Sequence, residues 1–280
     1  MNTKELNGVN ISIKEEGTDE PVVLLHSSAN SNEQWKSAFE SWADQFHVIA
    51  PDLLGYGGTD PWPGRGTLAL ADEVALVDAT VSHLHKPIHL IGHSYGGAVA
   101  LRMVLQQPER VRSLCLIEPV AFNVLNGTGE EERRHFDEII GLSTAVIDLQ
   151  GIGRSMEAAR VFVDYWSGEG TFANLTAKKR NRIAGDMHKV VLDFHATITE
   201  PTPGAAYGGI DVPTLILCGT HSPKPTRHIT RLLAEVIPGA RHRTIPHAGH
   251  MLPVTHPIYV NTAIEIHLMQ ALASSERQAA

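Results

Sequence analysis

Gly92-His93-Ser94-Tyr95-Gly96 sets a hydroxyl between two glycines, directly after the apolar run IHLI and before GAVALRMVL, a segment of helical period. A serine at a tight strand-to-helix turn is where a G-x-S-x-G pattern presents a nucleophile, because the glycines let two backbones approach around a strained turn. The hydroxyl alone is a poor nucleophile at neutral pH. It needs a histidine to take its proton and a carboxylate to hold the other ring nitrogen. With 16 histidines in the chain, residue type leaves the base open. A carboxylate is easier to place: SLCLIEPV puts Glu118 at the carboxyl end of an apolar strand, on the same sheet edge as Ser94. An ionised glutamate there costs several kcal/mol without partners, so an imidazole beside it is a physical reason for its presence. Asp52 and Asp60, in PDLLGYGGTD, read as backbone caps of a turn-rich loop, and Asp211 precedes its strand, at the wrong end of the sheet.

Bringing Ser94 and Glu118 together requires an α/β sheet. Short β-branched runs at 21–27, 47–52, 87–94, 110–118 and 212–219 alternate with helical segments near 32–45, 68–84, 95–107 and 226–237, before a final strand and helix. This alternation predicts right-handed crossovers and a mostly parallel central sheet with helices on both faces. From 119 to 205 the strand pattern stops, and EEERRHFDEIIG, SMEAARVFVDYW and AKKRNRIAGDMHKVVLDF are the periodic parts. Residues 119–205 are therefore expected to form an inserted helical cap, or lid, on a core made of 1–118 and 206–280. An insertion after a strand's carboxyl end lies over the ligand crevice of an open α/β sheet. Phe162, Tyr165 and Trp166 make an aromatic stripe in that insertion, which packs cap on core and also offers a substrate wall.

Together these segments resemble the α/β-hydrolase superfamily. LLHSSANSNEQW, APDLLGYGGTD, LIGHSYGGAVAL, PERVRSLCLIEP, VPTLILCG and PHAGHMLPVTHP carry the likeness, which spans nearly the whole chain outside the cap. The resemblance implies the chain order serine, acid, histidine, with the histidine after the last strand. RTIPHAGHMLP then offers His247 and His250. His250 is the better candidate, because Gly249 gives a turn that can swing the imidazole toward Ser94; His247, nearer the strand, orients the loop.

In the family the acid usually follows the seventh strand, in a pattern like G-x-x-D-P. Here Gly219-Thr220-His221-Ser222-Pro223 puts Ser222 at that position, and a hydroxyl carries no charge to stabilise an imidazolium. An acid after the sixth strand is a variant found in some haloalkane dehalogenases, and Glu118 follows Ser94 by a similar 24 residues. The dehalogenase likeness ends there, since those enzymes attack with aspartate and an ether on Ser94 would resist hydrolysis. The resemblance also implies an oxyanion hole with the backbone N–H groups of Ser28 and Tyr95 as donors. His26 begins that substrate-facing loop, and Ser27 replaces the usual glycine.

Bulk properties narrow the chemistry. A composition of 42% apolar and 19% charged residues suits a globular core. A formal charge of −8, with no basic run longer than Lys178-Lys179-Arg180, argues against nucleic acid and leaves a small, largely apolar molecule as the partner. The N-terminal segment lacks a signal-like profile, and no run approaches about eighteen apolar residues. A cytoplasmic protein without a membrane partner is expected; a homodimer is left open. Cys115 and Cys218 read as small buried hydrophobes, no Cys/His spacing suggests a metal, and no cofactor is expected. The expected activity is that of a serine hydrolase acting on an ester, thioester or related acyl bond through an acyl-enzyme on Ser94. The alternatives on the same fold are a C–C bond hydrolase, an acyltransferase, or a low-turnover ligand-binding, receptor-like protein.

Overall fold

The computed structural model describes residues 2–6, 8–64, 66–127 and 129–279. Eight strands form the sheet: β1 (Asn2–Leu6), β2 (Val9–Glu16), β3 (Pro21–Leu25), β4 (His47–Pro51), β5 (Ile88–His93), β6 (Val111–Ile117), β7 (Thr214–Gly219) and β8 (Arg241–Ile245). Their order is β1-β2-β4-β3-β5-β6-β7-β8. β1 runs antiparallel to β2, and β2 to β4. From β4 to β8 every pairing is parallel. The parallel part follows the alternation in the sequence. The β1–β2 hairpin does not, because NTKEL is polar and β2 buries only the stretch Ile11 to Ile13.

Strands β3, β5 and β7 are buried along their whole length, as strands covered on both faces must be. One face carries α1 (Lys36–Trp42) and α10 (Pro257–Ala279). Trp35, Phe39 and Trp42 form one apolar stripe, and Val260, Ile264 and Leu268 form another at helical spacing, in a single buried cluster with Val48 and Ile117. Each such fully buried side chain contributes about 1.5–3 kcal/mol relative to exposure. The opposite face carries α2 (Leu70–Val81), α3 (Tyr95–Gln106) and α8 (Lys224–Val236).

Between β6 and β7 the described residues hold only helices, α4 (Glu130–Gly151), α5 (Ser155–Ser167), α6 (Thr171–Asn174) and α7 (Ala177–Ile198), apart from short 3-10 turns. α4, α5 and α7 pack on one another. In α7 the residues Ile183, Met187, Val190 and Phe194 recur every three or four positions and are buried, which gives the helix one apolar face. Thr176 caps its start, accepting a hydrogen bond from Lys179 N at 3.3 Å. A short helix, α9 (Leu252–Thr255), precedes α10, and no described helix is long and apolar enough to cross a membrane.

Candidate active site

β5 ends at His93 and α3 begins at Tyr95, so Ser94 alone makes the turn, with φ 55° and ψ −115°. That left-handed φ is strained for a residue with a Cβ. Two flanking glycines make the turn sterically feasible. A Cβ on Gly92 would lie 2.3 Å from the Gly96 carbonyl oxygen, and one on Gly96 would lie 2.4 Å from that of Leu25. Ser94 N donates to Ile117 O at 2.9 Å, tying the turn to the end of β6.

Glu118 is the first residue past β6, and it too has a positive φ, 45°. Its carboxylate is fully buried and meets three donors. Oε1 accepts from Gly219 N at 2.6 Å and from Ser222 Oγ at 2.5 Å. Oε2 accepts from His250 Nδ1 at 2.6 Å. With that proton on Nδ1, His250 Nε2 is the acceptor and lies 2.9 Å from Ser94 Oγ, the geometry in which an imidazole can take the serine proton. Ser222, at the position where the resembled family usually carries its acid, donates to the Glu118 carboxylate instead and helps hold it. His247 lies off this line, with φ 60° and its backbone N donating to Thr220 Oγ1.

His93 had no assigned role from sequence, yet its Nε2 donates to His250 O at 2.9 Å. Burial, reinforced by the neighbouring His250, pushes its pKa well below the usual imidazole range, so it stays neutral and fixes the His250 loop. Its place directly before Ser94 is the available signal in the sequence.

A cavity opens beside Ser94, walled mainly by Val120, Phe122, Phe162, Trp166 and Phe194. Trp166 lies against the His250 ring, with centroids 4.5 Å apart at 31°. Ser28 and Tyr95 also line the cavity, and neither backbone N–H has an acceptor among the described residues. Two residues expected to face substrate, His26 of the oxyanion loop and Tyr165 of the aromatic stripe, do not line the cavity. His26 is buried beneath the loop, donating from Nδ1 to Ser27 O at 2.8 Å and accepting from Leu53 N at 3.0 Å on Nε2. Both nitrogens serve backbone, so His26 shapes the loop instead of touching the cavity. Tyr165 points away and donates to Glu138 at 2.8 Å, while its ring packs edge-on against Trp166.

One part of the site was not read from sequence. Lys189 and Asp193, one turn apart on α7, are buried, and Lys189 Nζ pairs with both Asp193 and Glu73 of α2. The ammonium also sits over the rings of Tyr56 and Tyr95, at 4.8 and 4.6 Å. Asp193 Oδ2 accepts from Tyr56 OH at 2.6 Å and from Ser28 Oγ at 2.5 Å, and Asp193 lines the cavity. Burial alone would lower the Lys189 pKa, but Asp193 and Glu73 outweigh it and hold the ammonium above the usual lysine range. Burial raises the Glu73 carboxyl above its ordinary value, despite the opposing pull of Lys189. The signal in the sequence was the i,i+4 Lys189–Asp193 pair beside an apolar face; the Glu73 partner has no such local trace.

Among the described residues, Glu131, His135 and His228 bring metal-ligating atoms together, and none of them lines the cavity. Arg231 Nη2 donates to His228 Nδ1 at 2.7 Å and His228 Nε2 donates to Glu132 at 2.9 Å, so a guanidinium already supplies the positive charge. Cys115 and Cys218 are buried and unpaired, and burial pushes the Cys218 thiol up to about 12.

Comparison with known proteins agrees with this architecture. The chain is 29% identical over 273 residues to the putative 2-succinyl-6-hydroxy-2,4-cyclohexadiene-1-carboxylate synthase of Bacillus subtilis (strain 168), covering 92% of this chain and 94% of that protein. It is 26% identical over 275 residues to (E)-2-((N-methylformamido)methylene)succinate hydrolase of Acinetobacter baylyi, covering 91% and 92%. Among solved structures, a thermophilic esterase from Thermogutta terrifontis superposes with a TM-score of 0.76 at 24% identity, covering 96% of this chain and 97% of that one, a likeness of fold. The model of the alpha/beta hydrolase family matches residues 22–263, and the chain belongs to that family.

Proposed function

We propose that this protein is a serine hydrolase that cleaves an ester, thioester or related acyl bond of a small, largely apolar substrate through an acyl-enzyme on Ser94. The observation that carries the reading is the continuous relay in which Ser94 Oγ lies 2.9 Å from His250 Nε2 while Nδ1 is held 2.6 Å from Glu118. Ser94 attacks the carbonyl carbon as His250 takes its proton, and the imidazolium is stabilised by Glu118. The unengaged N–H groups of Ser28 and Tyr95 receive the oxyanion. His250 then returns the proton to the leaving group, and a water activated by the same imidazole releases the acid and restores Ser94. Helices α4 to α7 act as the cap. They bring Phe162, Trp166 and Phe194 over the nucleophile and keep the acyl group in an apolar enclosure.

The test joins covalent labelling by a fluorophosphonate with steady-state assays on short-chain p-nitrophenyl esters. Labelling of Ser94 with turnover is expected. Stoichiometric labelling without turnover would favour a ligand-binding role, and an unlabelled Ser94 would remove the reading altogether.

A further inference from the structure

Among the described residues, the wall of the cavity beside Ser94 has one carboxylic acid, Asp193, and no lysine, arginine or histidine. The nearest candidate cation, Lys189, is fully committed, with two carboxylates on its nitrogen and two aromatic rings against it. Lys189 contributes one positive charge against the two carboxylates, so the cluster is neutral if Glu73 is protonated and negative if it is ionised. In neither state does it offer net positive charge to a ligand. The imidazolium that forms on His250 during turnover is already matched by Glu118.

We infer that the Lys189–Asp193–Glu73 cluster is a selectivity device, and that the site takes neutral acyl groups and rejects acyl groups bearing a carboxylate. The inference rests on the hydrolase reading for its kinetic form only. A substrate carboxylate entering this cavity would lose its water, find no cation, and face Asp193, whose Oδ2 already accepts from Tyr56 and Ser28. An unpaired buried anion is strongly disfavoured under those conditions. Neutral alkyl or ester-capped acyl chains pack on the mainly apolar wall and bring no charge to desolvate, so they suffer no such penalty.

The experiment compares p-nitrophenyl methyl adipate, which is neutral, with p-nitrophenyl hydrogen adipate, which is anionic at pH 7, each corrected for spontaneous hydrolysis. The neutral ester is expected to have the higher kcat/KM, by at least tenfold. Calorimetric binding of the corresponding N-phenyl amides reads the same preference without chemistry. Amide binding with that preference but no ester turnover would sink the hydrolase reading and leave this one standing. Equal use of both partners, a preference for the anion, or binding of neither amide overturns the inference. Asp193→Asn should shrink the preference at least threefold by acting on the anionic partner. If it lowers both partners alike, the cluster does not set the selectivity and the inference is overturned; should that variant fail to fold, Asp193→Ser is read in the same way.

Discussion

Two buried carboxylates flank Ser94, and their surroundings assign them different work. Glu118 and Asp193 each have three donors, one of them a hydroxyl for Glu118 and two for Asp193. The remaining partners differ. Glu118 faces an imidazole, whose charge changes when a proton moves, whereas Asp193 faces an ammonium held in its charged form by two acids and two aromatic faces. A carboxylate beside a group that changes charge can stabilise a transition state more than a ground state. One beside a permanent cation stabilises both alike, so it holds structure and shapes the field of the cavity. Burial and hydrogen-bond count do not separate the two; whether the partner changes charge does.

The largest test of this contrast removes the charge on the relay side. Glu118→Gln keeps size and most hydrogen bonds, and kcat on a neutral p-nitrophenyl ester should fall by about three to four orders of magnitude with little change in melting temperature. Removing charge on the other side should have the reverse pattern. Lys189→Met leaves Glu73 and Asp193 facing each other without a cation, and the loss of stability in urea denaturation should be about 3–5 kcal/mol. A Lys189→Met protein as stable as wild type would mean that the cluster does not hold α7 on the core.

How far these assignments were legible in the sequence follows from how local each signal is. Ser94 and Glu118 each stand one residue past an apolar strand, and parallel neighbours β5 and β6 bring such residues side by side. His250 was reachable through its loop, although its contact to Glu118 spans 132 positions. Lys189 has only its i,i+4 spacing to Asp193 as a local signal, in a stretch, AKKRNRIAGDMHK, that looks like a solvated helix face, and its contact with Glu73 spans 116 positions that no periodicity connects. His26 misled for a different reason. Its place at the end of β3 resembles a substrate-facing position, but a ring with both nitrogens bonded to backbone is a buried strut. The β1–β2 hairpin lacked the apolar run by which the parallel strands announce themselves.

Acid should act on a third kind of buried group, the imidazoles held neutral in the core, which neither the Glu118 relay nor the Lys189 ion pairs protect. Burial holds His93 well below its ordinary value of 6.5, and burial lowers His267 to about 4 and His89 to about 3. The unfolded chain therefore binds protons first. Stability is fully present above pH 6.5, declines as pH falls, and is lost through the folded values, at up to about 1.4 kcal/mol per pH unit for each group. Urea midpoints at pH 7, 6 and 5 should fall steadily, and His267→Gln should flatten that slope. A midpoint independent of pH over this range would mean that these histidines titrate normally when folded.

The smallest effect is the most discriminating one for Glu118. Ser222→Ala removes one of three donors to the carboxylate and leaves Gly219 N and His250 in place. A hydrogen bond to a charged group is worth about 1.5–3 kcal/mol, but this one is made before and after proton transfer, so most of its worth cancels from the barrier. Weakening it also leaves more of the carboxylate's charge for the imidazolium, which offsets part of the loss. The expected change in kcat is less than about tenfold. If Ser222→Ala instead matched Glu118→Gln, the hydroxyl would have to act on His250 directly, and Glu118 would be the support.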